Sequence, residues 1–76
     1  MEKEFRTKDL YLASFLMAEN QTLERVDRDG VVCWFIFGAP REIGLLADTY
    51  WNGSAKCYAK RYSDSIRTLK DRIFAK

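Results

Sequence analysis

An Asp-Gly pair between two strand-like segments constrains this chain more than any other feature. In Val26-Asp27-Arg28-Asp29-Gly30-Val31-Val32-Cys33-Trp34-Phe35-Ile36-Phe37-Gly38 the pair predicts a two-residue hairpin turn, because a type I′ turn needs positive φ at both central residues. The residues after the turn, Val31 to Phe37, are β-branched, aromatic or thiol-bearing, which suits a covered strand. Thr22–Arg28 then pairs with Val31–Phe37, setting Arg28 opposite Val31, Val26 opposite Cys33 and Glu24 opposite Phe35. The other face carries Leu23, Arg25, Asp27, Val32, Trp34 and Ile36. The second strand is apolar on both faces, so Trp34 or its neighbours need cover from outside the hairpin. A hairpin alone is marginal, and helices must pack against it.

Three helices flank the hairpin in the sequence. Glu4-Phe5-Arg6 reads as a short edge strand or a lead-in. Thr7 is the expected N-cap of a first helix over Lys8 to Glu19, with Asp9 complementing the dipole in its first turn. At 100° per residue Leu12, Phe15 and Leu16 form one apolar face and Leu10, Ala13 and Met17 another, so this helix must be covered on more than one side. It is either central to the domain or shared with a second copy. Asn20 can end it in the left-handed conformation. Gly38-Ala39-Pro40 breaks the strand, and Pro40 opens a second helix to about Trp51, with Ile43, Leu46, Ala47 and Tyr50 on one stripe. Leu45 and Trp51 fall off that stripe. Gly53 stops the helix, Asn52 or Ser54 caps a third, and Ala55 to Phe74 carries a stripe of Ala55, Ala59, Tyr62, Ile66, Leu69 and Ile73. The expected core is Phe15, Phe35, Leu46, Tyr62, Ile66 and Leu69. The fold class is α+β: short strand, helix, hairpin, helix, helix, with the helices on one face of a small antiparallel sheet.

Four stretches resemble a known family: Phe5-Arg6-Thr7-Lys8-Asp9-Leu10-Tyr11-Leu12, Trp34-Phe35-Ile36-Phe37, Tyr50-Trp51-Asn52-Gly53 and Ile66-Arg67-Thr68-Leu69-Lys70. The family comprises small bacterial proteins catalogued only as a domain of unknown function. The resemblance runs over nearly the whole chain and implies a single domain over residues 1–76 in a bacterial or phage cytosolic setting. It implies no activity, ligand or catalytic residue.

The residues themselves point away from catalysis. There is no histidine among the 76 residues, so a Ser/His or Cys/His pair cannot be built. The four glycines form no phosphate-binding loop, and two cysteines without histidine match no metal spacing. No cofactor and no small-molecule substrate is evident. A hydrophobic fraction of 47% beside 32% charged residues excludes a disordered chain. No apolar run approaches the ~20 residues of a membrane span. Met1-Glu2-Lys3-Glu4-Phe5-Arg6 is too acidic and polar for a secretory signal, which sets the expectation of a cytoplasmic protein with reduced thiols.

Charge and apolar excess remain as functional signals. Residues 55–76 carry seven basic and two acidic side chains, whereas residues 1–54 carry six and nine. Lys56, Lys60, Arg61 and Arg67 are therefore candidate nucleic-acid contacts, with Trp51 and Tyr58 nearby in sequence. Against this, Lys60, Asp64, Arg67 and Asp71 follow the i,i+3 and i,i+4 spacing of an ordinary solvated face. The apolar faces of the first helix and second hairpin strand, together with Leu45 and Trp51, exceed what so short a chain is expected to cover. The favoured expectation is a non-enzymatic interaction module, homodimeric or bound to another protein, with candidate interface residues Leu45 and Trp51. A nucleic-acid accessory protein using the basic helix is the alternative.

Overall fold

The computed structural model describes residues 4–38 and 40–74; Ala39, expected in the break after the hairpin, and Lys76, counted in the basic segment, lie outside them. The order is β1 (Phe5–Thr7), α1 (Leu10–Ala18), β2 (Leu23–Asp29), β3 (Val32–Phe37), α2 (Pro40–Trp51) and α3 (Ala59–Phe74). The three strands form one antiparallel sheet in the order β1-β3-β2. The short leading segment is thus a true strand, and the apolar β3 is central.

The hairpin forms with its turn one residue later than expected. Asp29 pairs with Val32, Arg28 with Cys33 and Val26 with Phe35, so the loop residues are Gly30 and Val31. Gly30 takes φ 65°, and Asn20 is the one non-glycine with positive φ among the described residues. Positive φ at the first loop position alone is the type II′ pattern, which spares Asp29 a left-handed backbone. The slip is two residues, which leaves the strand faces unchanged, since only a one-residue slip exchanges them. A bulge between Leu23 and Arg25 does alter one face. It sets Leu23 opposite Phe37 and brings it onto the core, where the unbulged register puts it on the far side.

Asp9, not Thr7, caps α1: its Oδ1 accepts from the backbone N–H groups of Tyr11 (2.9 Å) and Leu12 (3.1 Å). Thr7 Oγ1 accepts from the N–H of Asp9 (3.1 Å), so the expected cap instead fixes the chain entering the helix. A carboxylate reaching two orphan donors outcompetes a hydroxyl two residues earlier. At the other end Asn20, at φ 68°, donates to the Met17 carbonyl, and Gln21 donates to that of Leu16. This pair of reversed bonds is a Schellman cap. Gly53, at φ 83°, repeats it on α2, with bonds from Gly53 to Tyr50 and from Ser54 to Thr49.

α1 packs against both α2 and α3 and buries Leu12, Ala13, Ser14, Phe15, Leu16 and Ala18. Ser14 satisfies its hydroxyl by donating to the Leu10 carbonyl at 2.8 Å. The apolar circumference of α1 is therefore covered within one chain. Phe35 and Phe37 of β3 join Leu12, Phe15, Leu16, Ile43, Ala47 and Leu69 in the core, with Phe5, Leu23 and Val26 along its edge.

Two expectations about the last helix need correction. It begins at Ala59, with Ala55 to Tyr58 in non-helical chain before it. Its buried residues are Ser65 and Leu69, whereas Ile66 is half-buried and outside the core cluster. The inward stripe is Tyr62, Ser65, Leu69 and Ile73. A small side chain at an inward position suits close helix packing, and Ser65 takes that place while the larger Ile66 lies at the flank. Leu46 and Tyr62 pack against the core while half-exposed. At its carboxyl end α3 is tied to the hairpin by Arg28, whose guanidinium donates to the Ile73 carbonyl.

Candidate functional site

The basic flank of α3 brings only some of its candidates together. Lys60 lies 3.2 Å from Asp64 Oδ2, and Arg67 lies 3.9 Å from Asp64 Oδ1, so one carboxylate sits between the two cations. Arg61 points toward the end of α1, donating to Asn20 Oδ1 at 2.8 Å with its guanidinium 5.7 Å from the Tyr58 ring centroid. Lys56 precedes the helix and lines a groove rather than continuing the Lys60–Arg67 row.

That groove holds about 550 Å³ and is bounded by Phe15, Tyr50, Ala55, Lys56, Cys57, Ala59 and Tyr62. It exists because Ala55 to Tyr58 runs unwound between the Schellman cap of α2 and the start of α3. Three of the ionisable groups lining it, Tyr50, Cys57 and Tyr62, favour their neutral forms. Burial pushes the Tyr50 and Tyr62 phenols up, and neighbouring acidic groups reinforce the shift. Burial likewise raises the Cys57 thiol, with Glu19 adding to the effect and Arg61 opposing it. The cations near Cys57 in sequence therefore do not make it a reactive thiolate.

The candidate interface residues occupy different sides of α2. Leu45 is 65% exposed and Trp51 is 64% exposed. At 100° per residue they stand about 120° apart. Trp51 sits edge-on against Tyr50 at 5.0 Å between ring centroids, and Tyr50 meets the core ring of Phe15 at 6.0 Å. Trp51 is thus the outer member of an aromatic chain whose other two members wall the groove. Leu45 is a single exposed leucine on another side of α2, a common condition at a protein surface.

Sequence reasoning missed the sheet face turned away from the helices. Trp34 projects there from β3, with the Arg6 guanidinium 5.4 Å and the Lys8 ammonium 5.9 Å from its ring centroid. These cations are the outside cover that Trp34 was expected to need. Next to them Arg25 bridges Glu4 (2.7 Å) and Asp27 (3.0 Å), spanning from β2 to the chain before β1 over the fully buried Ile36. The hydrogen bond from Arg25 holds the Glu4 carboxyl below its ordinary value. The available signal was parity: once Thr7 pairs with Phe35, Arg6 must share a face with Trp34.

Among the described residues no group of three or more acidic, cysteine or histidine side chains is placed to hold a metal ion, and no helix is long and apolar enough to cross a membrane. The fold and these surfaces define a small α+β domain with a one-sided three-stranded sheet. The sequence matches over residues 2–75 the family described as Domain of unknown function (DUF5659), and the chain belongs to that family. No curated protein and no solved structure matches the chain.

Proposed function

We propose that this chain is a non-enzymatic interaction module that self-associates through the aromatic surface beside the Ala55–Tyr58 segment. One observation carries the reading: a largely exposed Trp51 stands next to an apolar groove of about 550 Å³. Projection and recess on one patch suit a two-fold interface, in which the Trp51 of each copy enters the groove of the other. Exposed aromatics beside a pocket are also the usual anchors of protein interfaces. The apolar faces of α1 and β3 give this reading no support, since the chain covers them itself. The two unpaired cysteines suit a reducing, cytoplasmic setting.

The nucleic-acid alternative through the helix flank is the weaker reading, because Asp64 lies between Lys60 and Arg67. Filling the groove tests the favoured one. Ala59→Phe is expected to lower the solution mass toward that of a single chain while leaving the circular dichroism unchanged. Leu45→Glu, about 120° around α2 from Trp51, is expected to leave the mass as it was. A mass unaffected by Ala59→Phe, with an unmodified protein that does associate, places the interface elsewhere.

A further inference from the structure

We propose that the sheet face opposite the helices binds single-stranded nucleic acid, with Trp34 as the stacking platform and Arg6 and Lys8 as phosphate contacts. This inference is independent of self-association, because the sheet face and the groove involve no common residue.

Three observations converge on it. Trp34 lies on the central strand, and the side chains that the helices cover belong to the other face: Phe5, Leu23, Val26, Phe35 and Phe37. Second, the cations beside Trp34 form no ion pair among the described residues, whereas the two carboxylates near them, Glu4 and Asp27, are both engaged by Arg25. Arg25 offsets one of these two negative charges, and the exposed Arg6 and Lys8 outweigh the other. Third, the cations are placed by the ladder. Arg6 pairs with Ile36 and Thr7 with Phe35, so continuing one step sets Lys8 across from Trp34. The indole is flanked by positive charge, from Arg6 within β1 and from Lys8 just after it.

That geometry suits one ligand chemistry better than others. A lone phosphate or carboxylate uses the cations but has no need of the indole. A duplex presents phosphates, yet its bases stack on one another and leave Trp34 unused. An unpaired strand offers a base for the ring and phosphates on either side of it. The long Arg6 and Lys8 side chains now lie over the ring, an arrangement weak at exposed sites. On binding, a base replaces a cation head over the indole, and that head moves a few ångströms to the adjoining phosphate. The basic flank of α3 offers no such platform, since its row of cations is interrupted by Asp64 and its nearest aromatic, Tyr58, stacks against Arg61.

The experiment is a fluorescence titration with a labelled 12-nucleotide oligothymidine and with a duplex of equal length, at several salt concentrations. It uses the Trp51→Phe protein so that Trp34 is the single tryptophan. Binding of the single strand is expected to quench Trp34, to exceed duplex binding, and to weaken with salt. Arg6→Gln with Lys8→Gln is expected to lower the log–log salt slope by about 0.7 for each lost phosphate contact. Trp34→Leu is expected to cost about tenfold or more in affinity. Should Trp34→Leu fail to fold, Trp34→Phe serves, with a smaller loss and no quenching signal. Equal affinity for duplex and single strand would overturn the proposal, as would binding indifferent to Arg6→Gln and Lys8→Gln. Absence of binding at low salt by the unmodified protein would overturn it too. The solution mass, read in parallel, reports on self-association alone.

Discussion

Gly30 holds φ 65° at the first position of the hairpin loop, a backbone state that a β-branched residue enters only at a cost. Nothing lies within 4 Å of where its Cβ would stand, so the cost is conformational rather than steric. Gly30→Val is expected to lower the melting temperature clearly, and Gly30→Asn to be tolerated, in paired thermal unfolding curves. Leu69 and Ile66 provide a second contrast at this scale. Leu69 is fully buried, and Leu69→Ala is expected to cost about 2–5 kcal/mol in denaturant unfolding. Ile66→Ala, at the flank, is expected to cost about half as much or less, because less apolar surface returns to water. A third residue-scale consequence concerns pH. Cys57, Tyr50 and Tyr62 all have folded values raised above their ordinary ones. In the alkaline range the unfolded chain therefore binds fewer protons than the folded one, and stability falls as pH rises. The decline is expected to start near pH ~8.5, where an ordinary thiol ionises, and to steepen near ~10 with the phenols. Cys57→Ala is expected to remove its first part in unfolding curves taken across that range.

At the level of elements, termini are held by specific caps. Asp9→Ala removes both side-chain bonds to the first turn of α1 and is expected to cost about 1 kcal/mol in chemical denaturation. Much of this layer was legible in the sequence. Asn20 and Gly53 were readable as helix stops because few other residues take positive φ, and both do so here. The alternation of β3 and the break at Gly38 were equally plain. What escaped was decided by competition between neighbours. Thr7 and Asp9 are both good caps, and Asp9 takes the role because its carboxylate reaches two backbone donors of the first turn. The Asp29-Gly30 turn that the pattern favours needs positive φ at both residues, whereas Gly30-Val31 needs it at the glycine alone. On α3, Tyr62 and Ile66 gave a convincing apolar stripe. The side chain buried there is instead Ser65, a small polar residue that no hydrophobic pattern marks. Ala55 to Tyr58 scan as helix by composition, yet the capped end of α2 forces the chain to cross before α3 begins, and that crossing creates the groove.

The whole molecule resolves an ambiguity that composition left open. A helix apolar on most of its circumference fits either a shared interface or a central position, and α1 is central, wedged between α2, α3 and the sheet. Much of the apparent excess of apolar surface is thereby absorbed; Tyr11, Val31, Leu45, Trp51, Tyr58 and Phe74 stay exposed, and of these Trp51 packs on the groove-lining Tyr50. The sheet face with Trp34, Arg6 and Lys8 was hidden for a related reason, since it depends on the pairing of a three-residue strand. The account therefore stands on Trp51 as a contact between copies. Sedimentation equilibrium of the unmodified protein and of Trp51→Ala, over a hundredfold range of concentration, tests this most directly. The expected result is an unmodified protein that reaches twice the mass of one chain, and a variant that stays at the single-chain mass with its fold intact. An unmodified protein that remains at the mass of one chain throughout would contradict it.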